Sequence, residues 1–384
     1  MHKETIVVHA DPKNRLKKGG IVTPIYPATS YEYIDMDANR YPRYFNTPNQ
    51  EVVLEKLCKL EQAEAGVLFS SGMAAISTTL RALLAPGDHV VLQEGIYGGS
   101  YSFMTEEFDE LGIAYTFAAG TPASIQAAIQ EHTKVIYVES PTNPLLDVVD
   151  LQEIARSARS QNILTIIDNT FASPINQNPI ALGIDVVVHS GTKYLGGHSD
   201  LCTGVALTSK SLADKIQHKA RHYGGSLNAI DCYLLERSLK TLHVRVERQT
   251  KNAGSLATYL EKHELVKRVF YPGLASHPGH EVAAKQMDGF GAMLAFELQQ
   301  GIPVGKFLAA LKVITPAMSL GGVESTICDP ASTSHATMTA AARAAMGITD
   351  GMLRLSVGIE HTEDLLADLN QALESVSQLV SVAG

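Results

Sequence analysis

Short apolar runs recur through the middle of the chain and alternate with stretches of helical spacing. Helical spacing is present at 122–131 and 150–161, between runs that are rich in Val and Ile. The runs lie between residues 89 and 209 and have the sequences HVVLQE, AYTFAA, KVIYVES, ILTIIDN, DVVVHS and GVALTS. Apolar strands that alternate with helices predict an α/β fold whose mostly parallel sheet is covered on both faces.

The flanking regions have other patterns, which indicate how the chain is divided. Five prolines interrupt the first 50 residues, which predicts an irregular N-terminal segment. Helical spacing follows at 50–63 and 72–84, and it dominates again from about 211 to Leu260. The sequences MLAFEL and LRLSVGI then predict strands of a second sheet. We therefore predict an N-terminal arm at 1–50, a large α/β domain at 51–245 and a smaller α+β domain at 246–384.

Composition and charge argue against several classes of function. The 384 residues carry a formal net charge of −9 without a Lys/Arg stripe, which argues against nucleic acid as the main partner. The short basic cluster from Lys13 to Lys18 is expected to be a solvated part of the arm. No apolar run approaches the ~18 residues of a membrane span, and the N-terminus lacks the apolar core of a signal peptide. We expect a soluble, cytoplasmic protein that binds no membrane.

Cysteine and histidine positions suggest neither a metal site nor a disulfide framework. The cysteines lie far apart and form no CxxC pair. His189 and His198 have no carboxylate or cysteine partner at metal-site spacing, so we expect hydrogen-bonded polar histidines. Small buried hydrophobic residues are expected at all four cysteine positions, which are Cys58, Cys202, Cys232 and Cys328.

Polar side chains follow the predicted strands at the points where those strands end. Lys193 follows DVVVHS, Asp168 ends ILTIID, Tyr97 follows HVVLQE and Asn143 follows KVIYVES. Because ligands bind beyond the carboxyl ends of parallel strands, we expect these side chains to face one crevice. The sequence SSG at 70–72 begins a predicted helix, whose free N–H groups and positive dipole end suit a phosphate.

Each of these residues has an ordinary explanation when it is considered alone. Most lysines are solvated, an aspartate can cap a turn, and a loop tyrosine can pack on the core. Together, however, they match a pyridine aldehyde phosphate, which needs an amine, an acid for its ring nitrogen, an anion site and often a stacked ring. Lys193, Asp168, the helix start at 70–72 and Tyr97 supply one candidate for each requirement.

The full set of motifs resembles the Cys/Met-metabolism enzymes that use pyridoxal 5′-phosphate (PLP). That family contains cystathionine γ-synthase, cystathionine γ- and β-lyases, methionine γ-lyase and O-acetylhomoserine sulfhydrylase. The resemblance covers nearly the whole chain and is carried by SGTKYLGGHSD, SSGMAAI, YGGSY, ESPTNP, IIDNTF, SLGGVES and LRLSVGIE. It implies the PLP-dependent transferase fold type I, which is aspartate aminotransferase-like, with PLP bound by the large domain.

The resemblance also implies roles for the residues at matching positions. Three are implied to be catalytic: Lys193 binds the cofactor and moves protons, Asp168 pairs with the ring nitrogen, and Tyr97 stacks on the ring. Arg354 is implied to clamp the substrate α-carboxylate as a bidentate fork. Ser319 and Asn143 are implied to support the carboxylate region and the ring hydroxyl. The remaining implied cofactor contacts are Ser71, Gly72, Met73, Ser190 and Thr192.

The same resemblance implies a function for the N-terminal arm. Tyr41 and Arg43 keep the Y-x-R spacing with which family members bind the cofactor phosphate of the neighbouring subunit. This implies a homodimer with shared sites, doubled into a homotetramer. The loop departs from the usual YSRxGNPT, since it contains the sequence YPRYFNTPN, with Pro42 after the tyrosine and Phe45 in place of glycine.

Residues near the distal end of the substrate indicate cystathionine chemistry. Glu324 matches the acidic position of many cystathionine enzymes, and Gly99 replaces the cysteine of typical methionine γ-lyases. Ser102 stands where several relatives have arginine, so Arg40 is expected either to attract a distal anion in its place or to lie in solvent. We expect γ-elimination or γ-replacement on cystathionine or an O-activated homoserine. The alternatives are methionine γ-lyase, O-acetylhomoserine sulfhydrylase and cystathionine β-lyase activity.

Two hypotheses from other functional classes differ in what they require of the sequence. A nicotinamide-dependent oxidoreductase needs a GxGxxG turn after a strand, and the chain has none. A catalytically silent binding protein with the same fold would not need the lysine, the aspartate and the arginine named above. Retention of all three favours an amino-acid-metabolising enzyme.

Overall fold

A seven-stranded sheet forms the centre of the large domain. The computed structural model describes residues 1–9, 20–333, 339, 343–344 and 347–382. The strands follow the order β1-β7-β6-β5-β4-β2-β3 in the sheet, where β7 is antiparallel to both neighbours and the other pairs are parallel. The mostly parallel sheet predicted from the sequence is therefore confirmed. The strands are β1 Ala65–Phe69, β2 His89–Gln93, β3 Ala114–Ala118, β4 Thr133–Glu139, β5 Leu164–Asp168, β6 Val186–Ser190 and β7 Gly204–Thr208.

Helices cover both faces of this sheet because its strands are apolar on both faces. Val186 and Val188 pack with Leu80 on one face, whereas Val187 packs with Ile154 on the other. Successive side chains of a strand point to opposite faces, so an uninterrupted apolar run buries both. The helices of this half are α1 Lys3–Val8, α2 Pro48–Glu61, α3 Gly72–Leu83, α4 Gly98–Glu107, α5 Pro122–Ala127, α6 Leu151–Arg159, α7 Ser173–Asn176, α8 Lys210–Tyr223 and α9 Ala229–Leu239. Single 3-10 turns lie at Pro42–Tyr44 and Pro179–Leu182.

A second sheet of five strands follows, with the order β10-β11-β12-β9-β8. The predicted strands MLAFEL and LRLSVGI are confirmed as β9 and β12, whereas the other three strands were not predicted. Helix α10 passes through position 245, so the division into domains at that point stays a prediction. The elements are α10 Leu242–Glu261, β8 Val266–Phe270, α11 His280–Gln286, β9 Met293–Leu298, α12 Val304–Ala310, β10 Thr315–Pro316, β11 Thr326–Cys328, β12 Met352–Ser356 and α13 Thr362–Val382.

The described residues of the N-terminal segment before α2 are irregular, as predicted, except for α1 and the turn at Pro42–Tyr44. Helix α1 was not predicted and is held by Ile6 and Val7, which enter the apolar core. Further along, Ile21 is 98% exposed, Tyr33 73% and Ile34 70%. Apolar side chains left uncovered along one segment are typical of a contact surface. The basic cluster at 13–18 lies outside the described residues.

The expectation of four buried cysteines was wrong for Cys202. This residue is exposed, while the other three are buried. It lies between the buried residues Leu201 and Thr203. Neighbouring side chains of an extended segment point in opposite directions, so burial of both neighbours turns the cysteine outward. Among the helices that the structure describes, none has the length and hydropathy that crossing a membrane requires.

Candidate active site

Lys193 lies on a tight loop that follows strand β6. Its N–H donates to the carbonyl of Ser190 at 3.2 Å, and its carbonyl accepts the N–H of Gly197 at 2.7 Å. Gly197 has a φ of +67°, and a Cβ there would lie 1.9 Å from the guanidinium of Arg245. That guanidinium donates to the carbonyl of Tyr194 at 2.9 Å. The loop therefore holds the lysine backbone rigidly at the carboxyl edge of the sheet.

The Lys193 amine is poised to act as a nucleophile. Burial, followed by the positive charge of Arg354, lowers the pKa of Lys193. A lowered pKa increases the neutral fraction of an amine, and only the neutral amine attacks an aldehyde. The Nζ atom donates to the Ser319 hydroxyl at 3.0 Å.

Asp168 ends strand β5 and is buried at the same edge of the sheet. Its Oδ1 accepts the N–H of Thr170 at 3.0 Å. Burial raises the pKa of Asp168, against the opposing effects of Thr170, His189 and Lys193. A buried carboxylate that already faces cationic groups can pair with a protonated ring nitrogen.

Arg354 joins the second sheet to this edge of the first. It lies buried on β12, and its Nη1 donates to the Asn143 side-chain oxygen at 2.9 Å. Its Nη2 donates to the Ser319 carbonyl at 3.4 Å. Ser319 adopts a φ of +77°, a value that is rare for residues other than glycine. Residues with such strained backbone angles are often found at functional sites. The guanidinium is thus oriented before any substrate carboxylate arrives.

The start of helix α3 forms a cradle against the end of β6. The Ser71 side chain accepts the N–H of Ala74 at 3.0 Å, while the N–H groups of Gly72 and Met73 lie in the first turn and have no intrahelical partner. A Cβ on Gly72 would lie 2.8 Å from Cβ of Ser190. Backbone donors, a positive helix end and a nearby hydroxyl suit a phosphate.

Thr192 and Tyr97 are two further residues that the sequence predicted for the cofactor site. The Thr192 hydroxyl accepts the N–H of Thr203 at 3.1 Å, so it is already bonded within the loop. The Tyr97 ring is 44% exposed, and a Cβ on Gly99 would lie 2.6 Å from that ring. The Tyr97 ring therefore lies over the backbone of Gly99, at the start of α4.

Two buried glutamates were not found by the sequence analysis, one beside Asp168 and the other beside His189. The Glu139 carboxylate accepts the N–H of Tyr97 at 2.7 Å, and Glu61 lies 2.6 Å from Nε2 of His189. Burial, followed by the charge of Asp168, raises the pKa of Glu139 well above its usual range. The position of Glu139 at the end of a predicted strand could have identified it as a site residue. Glu61 lies on a helix, and its position in the sequence gives no such signal.

A cavity of about 360 Å³ opens beside the lysine loop. Glu324 lies on its wall, and its carboxylate accepts a hydrogen bond from the Ser199 hydroxyl. Among the residues that the structure describes, no Lys or Arg lines this cavity. The residues that line it are Thr192, Ser199, Leu201, Thr315, Ala317, Met318, Ser319, Leu320, Gly322, Glu324 and Thr326.

The arm residues Arg40, Tyr41 and Arg43 do not join the lysine within one chain. Arg43 donates to the carbonyl of Arg221 on α8 at 2.6 Å, and its guanidinium lies 5.8 Å from the Tyr41 ring centroid. Arg40 does not lie in solvent, since it forms an ion pair with Glu51 at 2.7 Å. Each contact described for these three residues is with the arm, α2 or α8.

The residues gathered at the edge of the sheet fit a pyridoxal phosphate. The amine of Lys193 has a lowered pKa, a buried carboxylate lies nearby, and the α3 cradle would be blocked by a single Cβ at Gly72. Within the described residues, no group of three or more His, Cys, Asp and Glu side chains is arranged to hold a metal ion.

Comparison with known proteins decides the family. The model of the Cys/Met metabolism PLP-dependent enzymes matches residues 4–374. The chain belongs to this family. It is 44% identical to cystathionine gamma-lyase of Bacillus subtilis (strain 168), across 98% of this chain and all of that protein. It is 42% identical to cystathionine beta-lyase of Lactococcus lactis subsp. cremoris (strain MG1363), across 97% and 98%.

A solved structure extends the likeness to the fold. The structure of cystathionine gamma-lyase from Lactobacillus plantarum, complexed with L-serine, matches with a TM-score of 0.95 at 39% identity. The match covers 98% of this chain and all of that one. The predicted type I PLP-dependent fold, the cofactor and the assignment to carbon–sulfur bond chemistry are therefore confirmed.

Proposed function

We propose that the chain cleaves or exchanges the Cγ substituent of cystathionine, with Lys193 as the cofactor-bearing base. The observation that carries this proposal is the cavity beside the Lys193 loop, whose wall, among the described residues, holds the Glu324 carboxylate and no Lys or Arg. The distal end of cystathionine carries an ammonium group beside its carboxylate, and the Glu324 carboxylate attracts that ammonium, whereas the distal end of phosphorylated or succinylated homoserine carries only an anion, which Glu324 repels. Cystathionine therefore suits this wall better than those activated homoserines.

The residues of the site divide the chemistry among them. Bound PLP supplies an electron sink for charge that develops at the substrate Cα. Lys193 takes the Cα proton and, for γ-chemistry, a proton from Cβ. Asp168 holds the ring nitrogen in its protonated form, and Tyr97 covers the ring. Arg354, supported by Asn143 and Ser319, binds the α-carboxylate.

The other contacts follow from the positions of the loops. Gly72 and Met73 supply N–H donors to the phosphate, with the hydroxyls of Ser71, Ser190 and Thr192 around them. Ser199 holds the carboxylate of Glu324 at the distal end of the substrate. Arg40 is bound to Glu51, which favours a role in shaping the arm over a direct contact with a substrate anion.

The assembly is proposed to be a homodimer with shared sites, paired into a cytoplasmic homotetramer. The exposed apolar side chains between residues 21 and 34 support burial of the arm against another subunit. Arg43 and Tyr41 lie together on this segment, where they can complete the phosphate site of a neighbouring chain.

A product screen tests the proposed reaction. Purified protein is incubated with cystathionine, methionine, cysteine, or acylated and phosphorylated homoserines, with and without added thiol. We expect turnover of cystathionine at Cγ, which releases cysteine, ammonia and 2-oxobutanoate. Pyruvate, ammonia and homocysteine would instead indicate β-elimination, the second candidate, which the likeness to the Lactococcus lactis enzyme supports.

A variant at Glu324, the carboxylate at the distal end of the proposed substrate site, makes this screen more specific. Glu324→Gln is expected to raise KM for cystathionine about tenfold, the loss of one charge-assisted contact, and to leave KM for methionine unchanged. Asp350→Asn, at an exposed carboxylate, is the matched control. Equal losses for both substrates would contradict the assignment of Glu324, and no turnover of any substrate would favour a catalytically silent protein.

A further inference from the structure

Glu139 ends strand β4 directly beside Asp168, and the roles proposed above leave it without a function. The two residues are register partners on neighbouring parallel strands. Register partners in a parallel pair point to the same face of the sheet. Both side chains are buried. A second carboxyl group therefore lies next to the one assigned to the ring nitrogen.

Glu139 also anchors the loop that carries Tyr97. Its Oε2 accepts the Tyr97 N–H at 2.7 Å, and its own N–H donates to the side-chain oxygen of Gln93 at 2.9 Å. Gln93 ends strand β2, from which the Tyr97 loop departs. One residue of β4 thus fixes the start of this loop and the backbone of the tyrosine.

The Tyr97 ring depends on this anchor because burial does not hold it. The residue is 44% exposed, and it precedes α4 without a side-chain capping bond. The ring lies over Gly99, in space that the Cβ of a larger residue would fill. The hydrogen bond from the Tyr97 N–H to Glu139 is therefore the described polar contact that ties this residue to the sheet.

Burial disfavours a negative charge on both carboxyl groups, though not to the same degree. Burial and the neighbouring Asp168 raise the pKa of Glu139 well above its usual range, against the effects of Tyr97 and Arg354. Burial also raises the pKa of Asp168. In the opposite direction, Thr170 donates hydrogen bonds to this carboxylate, and His189 and Lys193 favour its charged form. Burial raises the pKa of the adjacent Tyr137 as well, so that phenol stays neutral. Burial and the neighbouring carboxylate therefore favour the protonated form of Glu139 more strongly than that of Asp168.

We propose that Glu139 is a positioning residue that holds Tyr97 over the cofactor ring and, as a neutral hydrogen-bond acceptor, leaves the pairing with the ring nitrogen to Asp168. This inference rests on the roles proposed for Lys193, Tyr97 and Asp168. It assigns Glu139 no contact with the substrate. A neutral side chain that accepts one hydrogen bond is sufficient for the task.

The first test compares two replacements of Glu139 by cofactor binding. Glu139→Leu removes the acceptor and is expected to raise the Kd of the apoprotein for PLP about tenfold, as for the loss of one hydrogen bond. It should also change the visible circular dichroism of the bound cofactor. Glu139→Gln keeps a neutral acceptor and should restore both properties. Glu297→Leu removes a buried carboxyl from the second sheet and is the matched control.

A double-mutant cycle with Tyr97→Ala separates positioning from a general effect on stability. Residues that act through one another are non-additive, so Glu139→Leu should raise Kd little further once the tyrosine is absent. Full additivity of the two losses would overturn the inference. A Glu139→Gln protein with the spectrum and Kd of Glu139→Leu would overturn it as well.

The pH dependence gives a readout that does not require the leucine variant to fold. If Glu139 is already neutral, the pH titration of the visible absorbance should be the same in Glu139→Gln as in the wild type. A shift of more than about one pH unit would show that Glu139 carried charge, and would overturn the inference. Wild-type protein that binds no PLP would overturn this inference and the proposed function together. Wild-type binding that is unchanged in Glu139→Leu would overturn this inference alone.

Discussion

At the scale of single residues, the site adjusts ionisation by burial and by the choice of neighbours. Lys193 and Asp168 have opposite shifts, because burial disfavours the charged form of each. For the lysine, the neighbouring Arg354 adds to the effect of burial. The result is an amine with an increased neutral fraction beside an acid with an increased protonated fraction. Covalent capture of an aldehyde requires the neutral form of the amine.

Removing the charge of Arg354 is therefore expected to alter the capture of the cofactor. Arg354→Gln should raise the pKa of Lys193, so that less neutral amine is present at a given pH. The rate at which apoprotein captures PLP, measured across pH, should then shift to higher pH. Arg248→Gln, at an arginine that binds the carbonyl of Glu360, is the control and should leave the profile in place. A shift to lower pH would contradict this explanation.

At the scale of elements, the phosphate cradle depends on close contact between the start of α3 and the end of β6. A side chain at position 72 would place its Cβ 2.8 Å from that of Ser190, in the space between helix and strand. The distance is shorter than van der Waals contact, and either the helix or the strand must move. Such a movement displaces the N–H groups of the first turn from any anion that they bind.

Gly72→Ala is expected to cost about 1–3 kcal/mol of stability and to weaken PLP binding at least tenfold. Gly305→Ala is the matched control, since it also lies in the first turn of a helix but has no heavy atom within 4 Å of the new Cβ. Chemical denaturation and equilibrium dialysis measure the two quantities. Tight binding by the Gly72→Ala protein would mean that the phosphate lies elsewhere.

Much of this architecture could be predicted because local sequence specifies it. Strands β2, β4, β5 and β6 are short apolar runs that end at polar residues, and the carboxyl ends of β5 and β6 located Asp168 and Lys193. Strand β1 was missed because AGVLF becomes a strand through its pairing with the distant β7. Glu139 was missed as a site residue for a related reason, since its bond to Tyr97 joins positions 42 residues apart. Contacts that depend on the folded sheet leave no pattern in the local sequence.

At the scale of the whole molecule, one chain holds the lysine site and a separate aromatic–arginine cluster between the arm and α8. That cluster contains Tyr41, Arg43, Tyr44 and Arg221. Its guanidinium groups lie over tyrosine rings at the surface and lack an anion within the described chain. A dimer in which the arm crosses to a neighbour would supply that anion as the cofactor phosphate.

Mixed oligomers test the shared site. Arg43→Ala and Lys193→Ala proteins are each expected to be nearly inactive, because each lacks one half of every site. Co-expression with two different tags should restore activity in the mixed species, since one site then receives both intact residues. Co-expression of Lys193→Ala with Lys193→Arg is the control and should restore none. Activity that stays absent from the isolated mixed species would contradict a site built from two chains.

The central claim is that Lys193 carries the cofactor, and reduction with borohydride tests it most directly. Protein incubated with PLP, reduced, digested and analysed by mass spectrometry should carry a single phosphopyridoxyl adduct on the peptide that contains Lys193. Lys193→Ala protein treated in the same way should carry none. An adduct on a different lysine in the wild-type protein, or no adduct at all, would contradict the account.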